Sequence, residues 1–194
     1  GSSGICAQAD PCSLADATDS FEVFDGDEVI LAPGTYALGA SEFAISDAID
    51  VHGSGPASAT KLVSAAPTYM RALSLDNGAS LSNLELEAVS GFGVHDGSLT
   101  NVVAKSSQGL SCLLSGPATL VNTACATAAY GAAAIVIGDQ TPNTVTLKNV
   151  TSVSTGTQGM GIRCVMQPGN GTTTVNATNL ISSGEDADVY VSTV

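Results

Sequence analysis

An all-β chain built from stacked coils is predicted by three observations. A four-residue phrase, apolar–x–Asn–apolar, recurs at Leu81-Ser82-Asn83-Leu84, Leu99-Thr100-Asn101-Val102 and Leu147-Lys148-Asn149-Val150. Looser copies stand at Leu120-Val121-Asn122-Thr123 and Ala177-Thr178-Asn179-Leu180. The asparagines lie 18, 21, 27 and 30 residues apart, too regular for chance and too uneven for a helical repeat. Repeats of this length are units that bury their apolar faces only against their neighbours. The third observation is composition: the apolar content is Ala, Val, Leu and Ile with abundant Gly, Ser and Thr, and there is no Trp. Such a mixture suits short strands joined by glycine-marked turns. At 194 residues the chain reads as one domain, long enough to bury a sizeable core.

Taken in order, Gly1-Ser2-Ser3-Gly4 reads as a cloning remnant, and the domain as residues 5–194. Cys6 and Cys12 flank a short turn containing Asp10-Pro11, and a disulfide between them would pin the chain end in an oxidising compartment. Ser13-Leu14-Ala15-Asp16 is a loose capping box, and Leu14, Ala17 and Phe21 follow at helical spacing. A short amphipathic helix over 13–20 is expected to cover the open end of the stack, where an exposed edge invites association. The coils occupy 28–194. Asp25-Gly26-Asp27 turns into the strand Glu28-Val29-Ile30-Leu31, and Thr35-Tyr36-Ala37-Leu38 resumes after Ala32-Pro33-Gly34. A second unit runs from Phe43-Ala44-Ile45 through Ile49-Asp50-Val51-His52-Gly53 to Lys61-Leu62-Val63.

Later units align on the asparagine, each with a glycine-started strand, a turn, a second strand and an inward-facing Asn turn. The Asn side chains of Asn83, Asn101, Asn122, Asn149 and Asn179 are expected to bond to one another up a structural ladder. Leu86, Ala104, Cys125 and Ser152 follow three positions later as a small, apolar inner stack, and Glu87 should face Lys105 outside. Asp27–Tyr36, the Ile49–Gly55 stretch and the asparagine phrases together resemble the pectin-lyase-like superfamily of right-handed parallel β-helix proteins. The resemblance spans nearly the whole chain and is architectural. It implies a single-stranded right-handed parallel β-helix of about six to seven coils with a short N-terminal capping helix.

Chemistry is harder to find. Eighteen acids against five bases leave a net charge of −13, which argues against nucleic acid and anionic membranes. An acidic polysaccharide would be repelled unless a cation bridged the contact. No apolar run is long enough to insert into a membrane as a helix. Cys112, Cys125 and Cys164 sit in apolar–small alternation and read as buried thiols filling the core.

The superfamily implies polysaccharide lyases and hydrolases, which work with calcium-binding carboxylates and an Arg or Lys base, or with several aspartates and a His. No such cluster is matched, so no catalytic role is carried over. The candidates are His95 and Asp96, an acid/base pair or a solvated turn, and Arg163, an outward-pointing base or a surface cation. Asp47, Asp50 and His52 share one early coil and could hold a cation; Glu185, Asp186 and Asp188 are a terminal loop or a weak calcium site. No cofactor and no metal set follows, although calcium is compatible. Tyr36, Tyr69, Tyr130 and Tyr190 are the tyrosines available to stack on a sugar. Asn149, Asn170 and Asn176 head formal glycosylation sequons, the first a ladder position expected to be buried. Thr172-Thr173-Thr174 alone is too little for an ice- or surface-binding array.

The reading that results is a non-catalytic, secreted or cell-surface module: a rigid spacer, adhesion or glycan-contacting domain. Its partners would be a polysaccharide or another protein surface, with self-association through the end or edge of the stack. The alternative is a lyase or glycoside hydrolase of the pectin-lyase-like type, or a degenerate relative of one.

Overall fold

The computed structural model describes residues 12–18, 23–67, 70–138, 143–166 and 172–193. One helical turn, α1 (Leu14–Ala17), precedes the strands. Ser13 caps it, accepting from the Asp16 amide at 3.2 Å and donating to the Asp16 carboxylate at 2.7 Å. The Thr18 hydroxyl then donates to the Leu14 carbonyl at 3.0 Å. The helix is shorter than the expected 13–20, and Asp19 and Ser20 lie outside the described residues. Leu14 is buried in the core, so this turn does pack on the strands.

The strands are β1 (Glu28–Leu31), β2 (Gly34–Gly39), β3 (Phe43–Ile45), β4 (Asp50–Gly53), β5 (Thr60–Ser64) and β6 (Leu73–Leu75). They continue as β7 (Ala79–Ala88), β8 (Phe92–Val94), β9 (Gly97–Ser106), β10 (Cys112–Leu114), β11 (Ala118–Val121) and β12 (Ala124–Thr127). The last are β13 (Ala133–Gly138), β14 (Asn143–Ser154), β15 (Met160–Met166), β16 (Thr173–Ser183) and β17 (Ala187–Thr193). The fold is all-β with long parallel sheets. One sheet of seven strands runs β3-β6-β8-β10-β13-β15-β17. A larger one contains β1-β4-β7-β9-β11-β14, with β2, β5, β12 and β16 joined to it. Every neighbour in the seven-strand sheet is parallel and non-consecutive in sequence, so the chain leaves that sheet and returns one strand further along.

The corner that lets it do so is the asparagine phrase. Asn83, Asn101, Asn122, Asn149 and Asn179 all have φ between 48° and 55°, a left-handed conformation that Asn tolerates better than other non-glycine residues. The left-handed residue interrupts the two-residue alternation of a strand. Leu81 and Leu84 are both buried, with Ser82 and Asn83 between them turned out, and Leu99/Val102 and Leu147/Val150 repeat the pattern. The chain thus bends while keeping its apolar side chains inside. The asparagines point outward, not inward as expected, because the positions flanking each one already fill the interior.

Register stacks like on like. Val51, Leu81, Leu99, Leu120 and Leu147 form one inner column, and Leu75, Val94, Leu114 and Ile137 another from the opposite sheet. All of these are at most 3% exposed. The column three past each Asn, Leu86–Ala104–Cys125–Ser152, is fully buried too. Cys125 there meets Cys112 of the seven-strand sheet, which is in register with Phe92 and Ile135, in a disulfide with Cα atoms 6.0 Å apart, which corrects the expectation of two filler thiols. Small neighbours, Ala104 and Ser152, leave room for the bridge to cross. Cys12 is also disulfide-bonded, while Cys6 lies outside the described residues. Cys164 is a half-buried free thiol, and burial pushes its pKa up.

Candidate functional site

On the outer side of the seven-strand sheet, His95 follows β8 and is held from two directions. Its Nε2 lies 2.6 Å from Arg71 Nη1, and its Nδ1 2.5 Å from Ser115 Oγ. A guanidinium offers only donors, so Nε2 accepts and the proton sits on Nδ1, where it is given to Ser115. Arg71 in turn donates from Nε to Glu42 Oε1 at 3.0 Å. The result is a four-residue track, Glu42–Arg71–His95–Ser115. Gly93 makes the crossing possible: a Cβ there would lie 2.9 Å from Arg71 Cδ and 3.1 Å from His95 Nε2. His95 is therefore half-buried and bonded rather than part of a solvated turn.

Asp96 is exposed, and its carbonyl receives the Gly78 amide at 2.7 Å. Arg163, on β15, is in register with Val136 and Tyr190. Successive partners Gly93, Leu113, Val136 and Arg163 put it three strands from His95's own strand, roughly 14 Å at the usual strand spacing. The structure does not bring His95 and Arg163 together. Arg163 Nε is buried without a partner.

The corner asparagines bond side chain to side chain. Asn101 donates to Asn83 at 3.0 Å, Asn122 to Asn101 at 3.0 Å, Asn149 to Asn122 at 2.8 Å and Asn179 to Asn149 at 2.9 Å. Asn149, expected to be buried, is exposed, with its amide occupied by this bond.

Beside the next strands, Lys61 pairs with Glu87 at 2.9 Å and with Glu85 at 3.5 Å, and Lys105 pairs with Glu85 at 3.6 Å. Glu87 and Lys105 are register partners, as expected, but each forms its ion pair with a different residue. The hydrogen bond from Lys61 to Glu87 leads the causes that raise the lysine's pKa. A shallow pocket of about 350 Å³ lies alongside, between Val63, Glu87, Val89 and Lys105.

The acids expected near a cation divide. Asp47 stays apart; Asp50 and His52 are joined by Glu28 of the neighbouring strand, which sequence reasoning missed. Glu28 Oε1 is 2.8 Å from His52 Nε2. Burial lowers the His52 pKa, but the bonds to Glu28 and the Gly53 carbonyl and the charges of Asp50 and Glu28 outweigh it, so the pKa is raised. At the C-terminal loop, Glu185 accepts the Gln158 amide at 2.7 Å and Asp188 the Gly184 amide at 3.3 Å. These two carboxylates tie down backbone. Glu28 reaches His52, and Arg71 and Ser115 reach His95, only across 20–24 residues of sequence, through the stacking of successive strands.

No family model and no curated protein matches the chain. Among solved structures, it is similar to the ORF18 protein of Geobacillus virus E2, with 10% sequence identity and a TM-score of 0.54. The match covers 84% of this chain and 40% of that one, so the chain spans less than half the length of the protein it resembles. At this identity the likeness speaks to the fold alone.

Proposed function

We propose that the chain is a single-stranded right-handed parallel β-helix, similar in architecture to the pectin-lyase-like superfamily, acting as a non-catalytic module of a secreted or cell-surface protein. The seven strands of the smaller sheet, one per coil, support a count of seven, and the right hand follows the strong preference of parallel crossovers. The module serves as a rigid spacer whose outer faces contact a glycan or a protein surface. Export is supported by the buried Cys112–Cys125 bridge, since such bonds persist in oxidising compartments. Edge-mediated self-association is supported by β16 and β17, where Val175, Val189 and Val191 are 41–60% exposed although they continue inner columns.

One observation carries the non-catalytic reading: both ring nitrogens of His95, the best acid/base candidate, are already committed to Arg71 and Ser115. With Arg71 donating to Nε2, the ring has no lone pair left to take a proton from a substrate. The test is a polysaccharide panel with and without millimolar calcium, read by unsaturated-product absorbance, reducing ends and thermal shift. No turnover, with a melting shift for one glycan, is expected of a binding module. Turnover abolished by His95→Ala or Arg163→Ala would overturn the reading and make this an enzyme.

A further inference from the structure

The first two strands of the larger sheet build a polar patch that the proposed function does not use. β1 and β4 pair in parallel with Glu28 opposite Asp50 and Ile30 opposite His52. Residues 28, 50 and 52 therefore project from neighbouring points of one rigid, hydrogen-bonded surface. A carboxylate oxygen of Glu28, one of Asp50 and a ring nitrogen of His52 all lie within 4.8 Å of one another. Ligands at about 2.0–2.2 Å from a shared ion stand up to about 4.4 Å apart, so a small side-chain adjustment closes the set.

Two outer bonds orient the donors. His52 Nδ1 lies 3.2 Å from the Gly53 carbonyl, and Asp50 Oδ1 accepts from Ser80 Oγ at 2.7 Å. In the metal-free chain His52 Nε2 gives its proton to Glu28 Oε1. The ion displaces that proton to solvent and takes the Nε2 lone pair, while the Nδ1–H bond to the Gly53 carbonyl keeps the ring in place and a carboxylate fixed through one oxygen presents the other. His52 is 18% exposed at its side chain and Glu28 59%, which gives a seated imidazole beside an accessible carboxylate.

We propose that Glu28, Asp50 and His52 form a binding site for a divalent first-row transition ion such as zinc, with His52 Nε2 and one oxygen of each carboxylate as ligands. Calcium and magnesium favour shells made wholly of oxygen, so the imidazole selects against them. Three protein ligands on an open surface leave a position for water or an added group. The ion ties β1 to β4 and so clips the first strand of the larger sheet onto its neighbour. The site stands apart from the His95 track and does not depend on the proposed function.

The test uses the whole chain, stripped with a chelator and titrated with zinc chloride. The sequence has two histidines, so imidazole NMR reports on each separately in the unmutated protein. The His52 resonances should move and saturate at a single ion per chain while those of His95 stay still. The melting temperature should rise by about 5 °C once zinc exceeds its Kd by about a hundredfold. His52→Gln should abolish this binding, and Glu28→Gln and Asp50→Asn should each weaken it at least about tenfold. Movement of His95 in place of His52, or no saturable binding at millimolar zinc, overturns the site. Unchanged zinc affinity in His52→Gln does so too, and calcium giving the same melting shift in the unmutated protein overturns the choice of metal.

Discussion

Replacing Asn122 by Ala tests the corner ladder at its middle rung. Asn122 donates to Asn101 and accepts from Asn149, at 3.0 and 2.8 Å, and its backbone stands at φ 48°. Loss of two exposed side-chain bonds is worth about 1–2 kcal/mol together. An alanine held in the left-handed region adds about 1–2 kcal/mol of steric cost that Asn largely escapes. The expected loss is about 3 kcal/mol, read as a lower urea midpoint at unchanged slope. Asn83 has nearly the same backbone, φ 55°, but only the single ladder bond from Asn101. Asn83→Ala should therefore cost about 1 kcal/mol less than Asn122→Ala. Asn122→Gly removes both bonds and the strain while adding about 0.5–1 kcal/mol of chain entropy, so it should fall between the two. Asn101→Ala with Asn122→Ala should cost less than the sum of the single changes, because one bond is counted twice. Equal losses at Asn83 and Asn122, with additive doubles, would refute the ladder as a source of stability and leave the backbone turn as the whole effect.

The other expected outcomes are more local. Changing both Cys112 and Cys125 to Ala opens a loop whose ends are 13 residues apart, and should cost about 3 kcal/mol in denaturant melts. Alkylation of the unfolded, unreduced protein should label Cys164 and spare these two; in the folded protein Cys164 should react slowly, its thiolate suppressed by burial. Gly116→Ala should destabilise by about 3 kcal/mol or more, because a Cβ there would stand 1.4 Å from the His95 carbonyl oxygen. A stable Gly116→Ala protein with unshifted His95 resonances would contradict the packing between those strands. In the metal-free protein, His52 should titrate above the ordinary histidine value of 6.5, and Glu28→Gln should bring it down. Because the folded pKa is the higher one, the stabilising contribution is complete below the unfolded value and is lost as pH rises through the folded value. A His52 titration unmoved by Glu28→Gln would show that the ion pair does not form in solution.

What the sequence made legible follows from where its signals are local. The corner phrase is a four-residue pattern, so the turns at Asn83, Asn101, Asn122, Asn149 and Asn179 and the burial of their flanking apolar residues can be read without tertiary knowledge. Side-chain direction at the corner cannot, since it depends on how a left-handed residue rotates the strand, and the asparagines face out. The Cys112–Cys125 bridge needs a further fact, namely that the inner column of one sheet faces that of the other within one circuit of the chain. Composition supplied two buried cysteines and no reason to join them.

The two polar constellations were hidden for a related reason. Aligning units on their asparagines yields register only where an asparagine is present, and the first circuit turns at Ala32-Pro33-Gly34 instead. Glu28 therefore could not be placed opposite Asp50, although Asp50 and His52 were visible as an alternating pair on their own strand. Arg71 and Ser115 meet His95 because a glycine at position 93 leaves a channel one side chain deep, and nothing in the Ala72-Leu73-Ser74-Leu75 stretch announces that an arginine beside it will cross that channel. The consequence is chemical as well as spatial. An arginine on Nε2 turns the most suggestive acid/base candidate in the sequence into a hydrogen-bond donor toward Ser115, whereas the histidine that sequence alone offers only as one of three cation candidates has a ring nitrogen within 4.8 Å of two carboxylates.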